Sequence, residues 1–93
     1  MNNRLTTLPS SLGALSSLRV LELRNNSLNT LPNAIVDLHH LTHIDLRANR
    51  LTTLPSVICQ LTSLQKLDLR WNKIVTWPTW LSEYTARGVL VYR

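Results

Sequence analysis

Glu22, Asp45 and Asp68 stand 23 residues apart, and each is followed two positions later by an arginine: Arg24, Arg47 or Arg70. On an extended strand, residues two apart face the same way, so these acids and guanidinium groups can pair with one another. They can equally offer directional donors and acceptors to a partner. Exposed pairs are worth only roughly 0–1 kcal/mol each, so stabilising the fold is a weak reason for their presence. Val91 and Arg93 continue the two columns. This chemistry is recognition, not bond making. An enzyme requires a nucleophile with a base, a metal site or a phosphate loop. No Ser-His-Asp or Cys-His set is brought together by the repeat, and neither GxGxxG nor GxxxxGK occurs. His39 and His40 are adjacent and point apart, only His43 is expected on the strand face, and no Cys or carboxylate completes a ligand set. No enzymatic activity, metal or cofactor is therefore expected. Cys59 is the sole cysteine; it is expected as a partly buried, inert thiol, because no cation stands near it in the repeat.

The step of 23 that spaces these charges runs through the whole chain. Pro9, Pro32, Pro55 and Pro78 keep it, each behind Leu8, Leu31, Leu54 or Trp77. Asn3, Asn26, Asn49 and Asn72 keep it too, as do Leu21, Ile44, Leu67 and Leu90. One unit reads LxxLxLxxNxLxxLPxxIxxLxx. Self-similarity at such a period is the mark of a stacked-repeat architecture.

Local physics assigns an element to each part of the unit. Leu21 and Leu23 alternate with period two, a strand with one face on a core. Strands are expected near 20–23, 43–46, 66–69 and 89–92, stacked in parallel at about 4.8 Å. The Asn stands where the chain leaves the strand, and its amide can donate to and accept from main-chain groups of that turn. The return begins at Pro, whose fixed φ suits the start of a helical turn. Leu31, Ile35 and Leu38 then form one apolar face. Helical turns are expected near 9–15, 32–38, 55–61 and 78–84. Asn49→Ala is expected to leave buried main-chain groups unpaired.

On these residues the chain resembles the leucine-rich repeat family along nearly its whole length. The Leu-Pro step looks like the intracellular repeats of Ras-binding, Scribble-like, Roco and many bacterial proteins. It is less similar to secreted repeat proteins with cysteine-rich caps. The resemblance implies an α/β fold: a short right-handed leucine-rich repeat solenoid with a parallel concave β-sheet and short helical or 3₁₀ convex turns. One domain, 1–93, would hold a partial repeat 1–17, repeats 18–40, 41–63 and 64–86, and a terminal strand segment 87–93. Met1 aligns with Arg24, so the chain is expected to begin after the strand of its own first repeat. The tail departs from the pattern at Tyr84 and Arg87, where the unit would place leucines.

The family's default binding surface is the concave face, which implies protein–protein interaction. The partner-facing residues expected there are Arg24, His43, Asp45, Arg47, Lys66, Asp68, Arg70, Trp71, Val89 and Val91. Trp71 is singled out because Asn25 and Ala48 hold the equivalent positions, so the fold does not require an aromatic there, and Trp is enriched at binding hot spots. Trp77 and Trp80 fall in packing columns. The alternative is a structural building block of a longer repeat protein, without a partner of its own.

Composition narrows the rest. An apolar fraction of 44% excludes a fully disordered chain. A single Cys excludes an intramolecular disulfide framework. No apolar run is long enough to span a membrane, and the first residues do not read as a secretory signal. A cytoplasmic, reducing setting follows as the expectation. The net charge of +5 permits acidic partners. Acids set beside the arginines, with only Trp71 as an aromatic platform, argue against nucleic acid. The partner is expected to be another protein. A homodimer through an exposed edge strand is expected as well, built on an apolar C-terminal edge of Val89, Val91 and Trp71.

Overall fold

The computed structural model describes residues 8–93. Four three-residue strands form where Leu or Ile alternates with polar side chains: β1 (Val20–Glu22), β2 (His43–Asp45), β3 (Lys66–Asp68) and β4 (Leu90–Tyr92). They make one parallel sheet in the order β1-β2-β3-β4. Main-chain pairing runs past the strand ends. The Leu23 and Asn25 N–H groups donate to the Asp45 and Arg47 carbonyls at 2.8 and 3.0 Å. Leu46 and Ala48 repeat this onto Asp68 and Arg70 at 2.9 and 3.0 Å.

Opposite the sheet lie three 3₁₀ turns, Ser10–Ala14, Asn33–Asp37 and Ser56–Gln60, and one α-helix, α1 (Leu81–Ala86). Pro9, Pro32 and Pro55 stand just outside the 3₁₀ turns rather than inside them. Their φ values of −69°, −71° and −60° present the carbonyl that accepts the first N–H of each turn. The turns stack closely: a methyl on Gly13 would come within 3.0 Å of the Ala34 carbonyl oxygen. Between the layers runs one continuous core, with Leu28, Ile35, Leu41, Leu46, Leu51, Ile58 and Leu67 sealed from solvent. Each repeat buries its apolar face only against its neighbours.

The asparagine ladder is built into the corner between the layers. Asn49 donates to Leu46 O (3.0 Å) in its own repeat and to Leu23 O (2.9 Å) in the preceding one, and its Oδ1 accepts Leu28 N–H at 3.1 Å. Asn72 repeats the set on Leu69 O, Leu46 O and Leu51 N–H at 3.0, 2.8 and 3.1 Å. Before each Asn the chain turns through a left-handed residue: Asn25 (φ 60°), Ala48 (φ 56°) and Trp71 (φ 63°). That turn takes carbonyls out of the sheet, and the amide collects them. Asn3 lies outside the described residues.

The last repeat breaks the step. β1, β2 and β3 keep it, with Leu21 opposite Ile44 and Ile44 opposite Leu67. β4 instead sets Leu90 opposite Lys66, Val91 opposite Leu67 and Tyr92 opposite Asp68, a step of 24. The cause lies on the convex side. α1 has six residues against five in each 3₁₀ turn, and an α-helix rises less per residue, about 1.5 against 2.0 Å. Its end is a Schellman cap: Gly88 N–H bonds Thr85 O and Val89 N–H bonds Tyr84 O, both at 3.1 Å, with Gly88 at φ 90°. The extra residue is absorbed there. Because side chains alternate along a strand, one residue of slip exchanges the faces. Val89 is buried and Val91 packs on the core, so neither lies on the concave face as expected. Leu90 and Tyr92 take their places outside, and the expected apolar edge of Val89 and Val91 is not formed.

Tyr84 fills the core under this repeat. Its hydroxyl donates to the Ile58 and Leu61 carbonyls at the end of the third 3₁₀ turn, and burial raises its pKa. Trp80 meets its ring edge-on, centroids 5.5 Å apart. Both Trp77 and Trp80 are half-buried against the core, as their columns imply.

Candidate functional site

Acids and arginines two apart on β2 and β3 do more than share a face. The Asp45 carboxylate takes Arg47 Nε at 2.9 Å and Nη2 at 2.7 Å, and also accepts the Arg47 main-chain N–H at 3.1 Å. Asp68 does the same with Arg70, at 3.0, 2.7 and 3.3 Å. Aspartate suits this because its short side chain folds back onto the N–H two residues on. The two levels are joined by one contact, Arg47 Nε to Asp68 Oδ2 at 3.4 Å. No such pair joins Glu22 and Arg24, which are both exposed. The expected lattice is thus ordered over β2 and β3. Arg93 leaves the arginine column with the slip of β4, and its guanidinium stands over Trp77, 4.9 Å from the ring centre.

Electrostatics follow the geometry. The Arg47 side-chain hydrogen bonds hold the Asp45 carboxyl below its usual pKa; burial opposes this, and the charges of Arg47 and Arg24 support it. For Asp68 burial is the largest influence and pushes the pKa up. The hydrogen bonds and charge of Arg70, with the charge of Arg47, overcome it, and the net direction is down. Asp68 is only 3% exposed, so its charge is spent inside the sheet.

A hollow of about 250 Å³ lies across the strands, lined by Val20, Glu22, His43, Asp45, Arg47, Lys66 and Asp68 among others. His43 is held at its rim. The Thr42 hydroxyl donates its single proton to Arg19 O at 3.0 Å and lies 2.8 Å from His43 Nδ1. His39 and His40 are exposed on the turn before β2.

Towards β4 the surface becomes aromatic. Trp71 is 70% exposed, Leu90 56% and Tyr92 39%. Arg70 lies over both rings, 5.8 Å from Trp71 and 5.2 Å from Tyr92, and Lys66 Nζ stands 5.4 Å from Tyr92. Of the ten residues expected here, Arg24, His43, Asp45, Arg47, Lys66, Asp68, Arg70 and Trp71 lie on this side; Val89 and Val91 do not. Leu90 and Tyr92 are the two that sequence reasoning missed. The signal for them was Gly88, the glycine that ends α1.

On the convex side Cys59 is exposed, not partly buried, and shares a hollow of about 130 Å³ with Trp80, Glu83, Tyr84 and Arg87. Arg87, the residue that follows α1, is the cation on the wall of that hollow.

Known proteins share this architecture. A family model described as "Leucine-rich repeat region" matches residues 2–86. A leucine-rich repeat protein of Leptospira interrogans superposes with a TM-score of 0.78 at 31% identity, over 100% of this chain and 25% of its own. The leucine-rich repeat domain of the type III effector XopL superposes at 0.68 with 28% identity, over 96% of this chain and 38% of its own. The chain thus spans well under half the length of either. No curated protein matches the chain. With the ladder, the parallel sheet and a match over most of its length, the chain belongs to the leucine-rich repeat family.

Proposed function

We propose that the chain binds another protein, which lies across the outer faces of β1 to β4. The observation that carries this reading is Trp71. A bulky residue at positive φ costs of order 1–3 kcal/mol, and such strain gathers at functional sites. Here it holds a ring 70% exposed beside the sheet, where packing gains little from it. An exposed Trp flanked by Leu90, Tyr92 and ordered arginines has the make-up of a recognition hot spot.

The test is to select peptides of about 12 residues from a random display library against the full chain and to map the binders by amide NMR. Shifts at Val20, His43, Lys66 and Leu90 are expected. Shifts confined to the 3₁₀ turns and α1 would overturn the reading. A second reading has the chain as a building block of a longer array, because it spans only 25% and 38% of the two matched structures. In that case the isolated chain selects no binder, and Trp71→Gly changes only stability.

A further inference from the structure

On β2 and β3 the concave face divides into carboxylates that are used up and two cations, Lys66 and Arg70, that are not. Asp45 and Asp68 each accept two side-chain bonds and a main-chain N–H from the arginine two residues on. Their oxygens are committed, and Asp68 is buried. Arg47 is committed too, between both acids. Arg70 gives Asp68 its Nε and Nη2 only, and its side chain remains 43% exposed. Lys66 has no carboxylate within ion-pair distance among the described residues; its ammonium stands over the Tyr92 ring. An ammonium carries three donors, and a ring face satisfies none of them as a carboxylate would.

We infer that the β3–β4 half of this face takes an acidic segment of the partner protein: a carboxylate bound by Lys66 and the free side of Arg70, with a neighbouring apolar side chain against Trp71 and Leu90. This rests on the concave-face reading above and sharpens it to a partner chemistry. The aromatic rings hold the cations in place before the ligand arrives, which lowers the ordering cost of binding. The chain's net charge of +5 draws acidic segments towards it. A nucleic-acid strand fits less well. Arg70 and Lys66 both lie over the Tyr92 ring, which leaves Trp71 as the stacking platform, and the exposed Glu22 on the same face repels phosphates.

The selected peptides supply the test. Asp or Glu beside Trp, Phe or Leu is the expected enrichment. A fluorescein-labelled binder is then titrated by anisotropy against the full chain, Lys66→Glu and Trp71→Gly, at about 50 and 500 mM salt. Neither residue holds an ion pair among the described residues, and thermal melting checks that both variants stay folded. Each is expected to weaken binding about tenfold or more at low salt, and the Lys66→Glu effect shrinks at high salt. Binders that lose affinity in Trp71→Gly, carry no acid and ignore Lys66→Glu would overturn the acidic segment and leave the concave reading standing. Binders indifferent to both substitutions and to Leu90→Lys would overturn the concave reading itself. A labelled twenty-nucleotide oligo-dT that binds more tightly than every peptide, and is lost in Lys66→Glu, would replace the acidic segment with nucleic acid.

Discussion

Arg47 is shared between two repeats: its Nη2 lies 2.7 Å from Asp45 Oδ2, while its Nε lies 3.4 Å from Asp68 Oδ2 one strand further on. The pairing depends on ionised carboxylates, so it is sensitive to pH. Both acids have folded pKa values below their ordinary ones. Their contribution is therefore present above the unfolded value of about 3.9 and is lost as pH falls through the folded values. Asp68→Asn removes one of them. Urea midpoints from pH 7 down to about 2 should show the wild-type advantage shrinking below about pH 4. An advantage that stays constant over the range would mean that ionisation is not its source.

Asn49 bonds both to its own turn and to the repeat before it. Asn49→Ala leaves the Leu28 N–H without its acceptor in a buried corner, and Leu23 O and Leu46 O keep only the amides of Asn26 and Asn72. A loss of about 1–3 kcal/mol is expected in thermal or urea unfolding. The exposed Asn29→Ala serves as control, with a change within about 0.5 kcal/mol.

Neighbouring residues of β4 separate the two registers. Val91→Lys places a charge against the core and should cost about 2 kcal/mol or more, whereas Leu90→Lys should stay within about 0.5 kcal/mol. A step of 23 would reverse the order of the two variants in a melting experiment.

Backbone strain makes opposite predictions at two sites. Ala48 holds φ 56°, so Ala48→Gly should raise stability by up to about 1 kcal/mol. Gly88 holds φ 90°, and a methyl there would meet nothing within 4 Å. Gly88→Ala should nonetheless lower stability by about 1 kcal/mol, through conformation alone. Calorimetry of both variants checks the signs.

Much of this was legible in the residues because the repeat carries its own register. The sealed corner of Leu21, Leu23 and Asn26 recurs as Ile44, Leu46 and Asn49, so strands, ladder and concave columns followed from the step of 23. The last repeat was not legible by that route. Val89, Leu90, Val91 and Tyr92 are all apolar or aromatic, so no polar alternation marks which pair faces out. The choice was made by α1 and the φ of Gly88, which act outside the strand. Asp68 misled in a different way. Its column is open at Glu22, but around Asp68 Arg47 and Arg70 close over the carboxylate.

The ladder bonds that join one repeat to the next end on main-chain atoms. Asn49 reaches Leu23 O and Leu28 N–H, and Asn72 reaches Leu46 O and Leu51 N–H. In the ladder no side chain of the neighbour is consulted, although Arg47 does reach the Asp68 carboxylate across the same seam. A tandem copy of residues 41–63 inserted after 63, or the same stretch cut out, would therefore meet joints of the same kind on both sides. Copying errors in multiples of 23 residues leave the ladder unbroken in such a chain, while the outward columns remain free to drift. Heredity can lengthen or shorten this protein by whole units without redesigning a ladder bond at the seam.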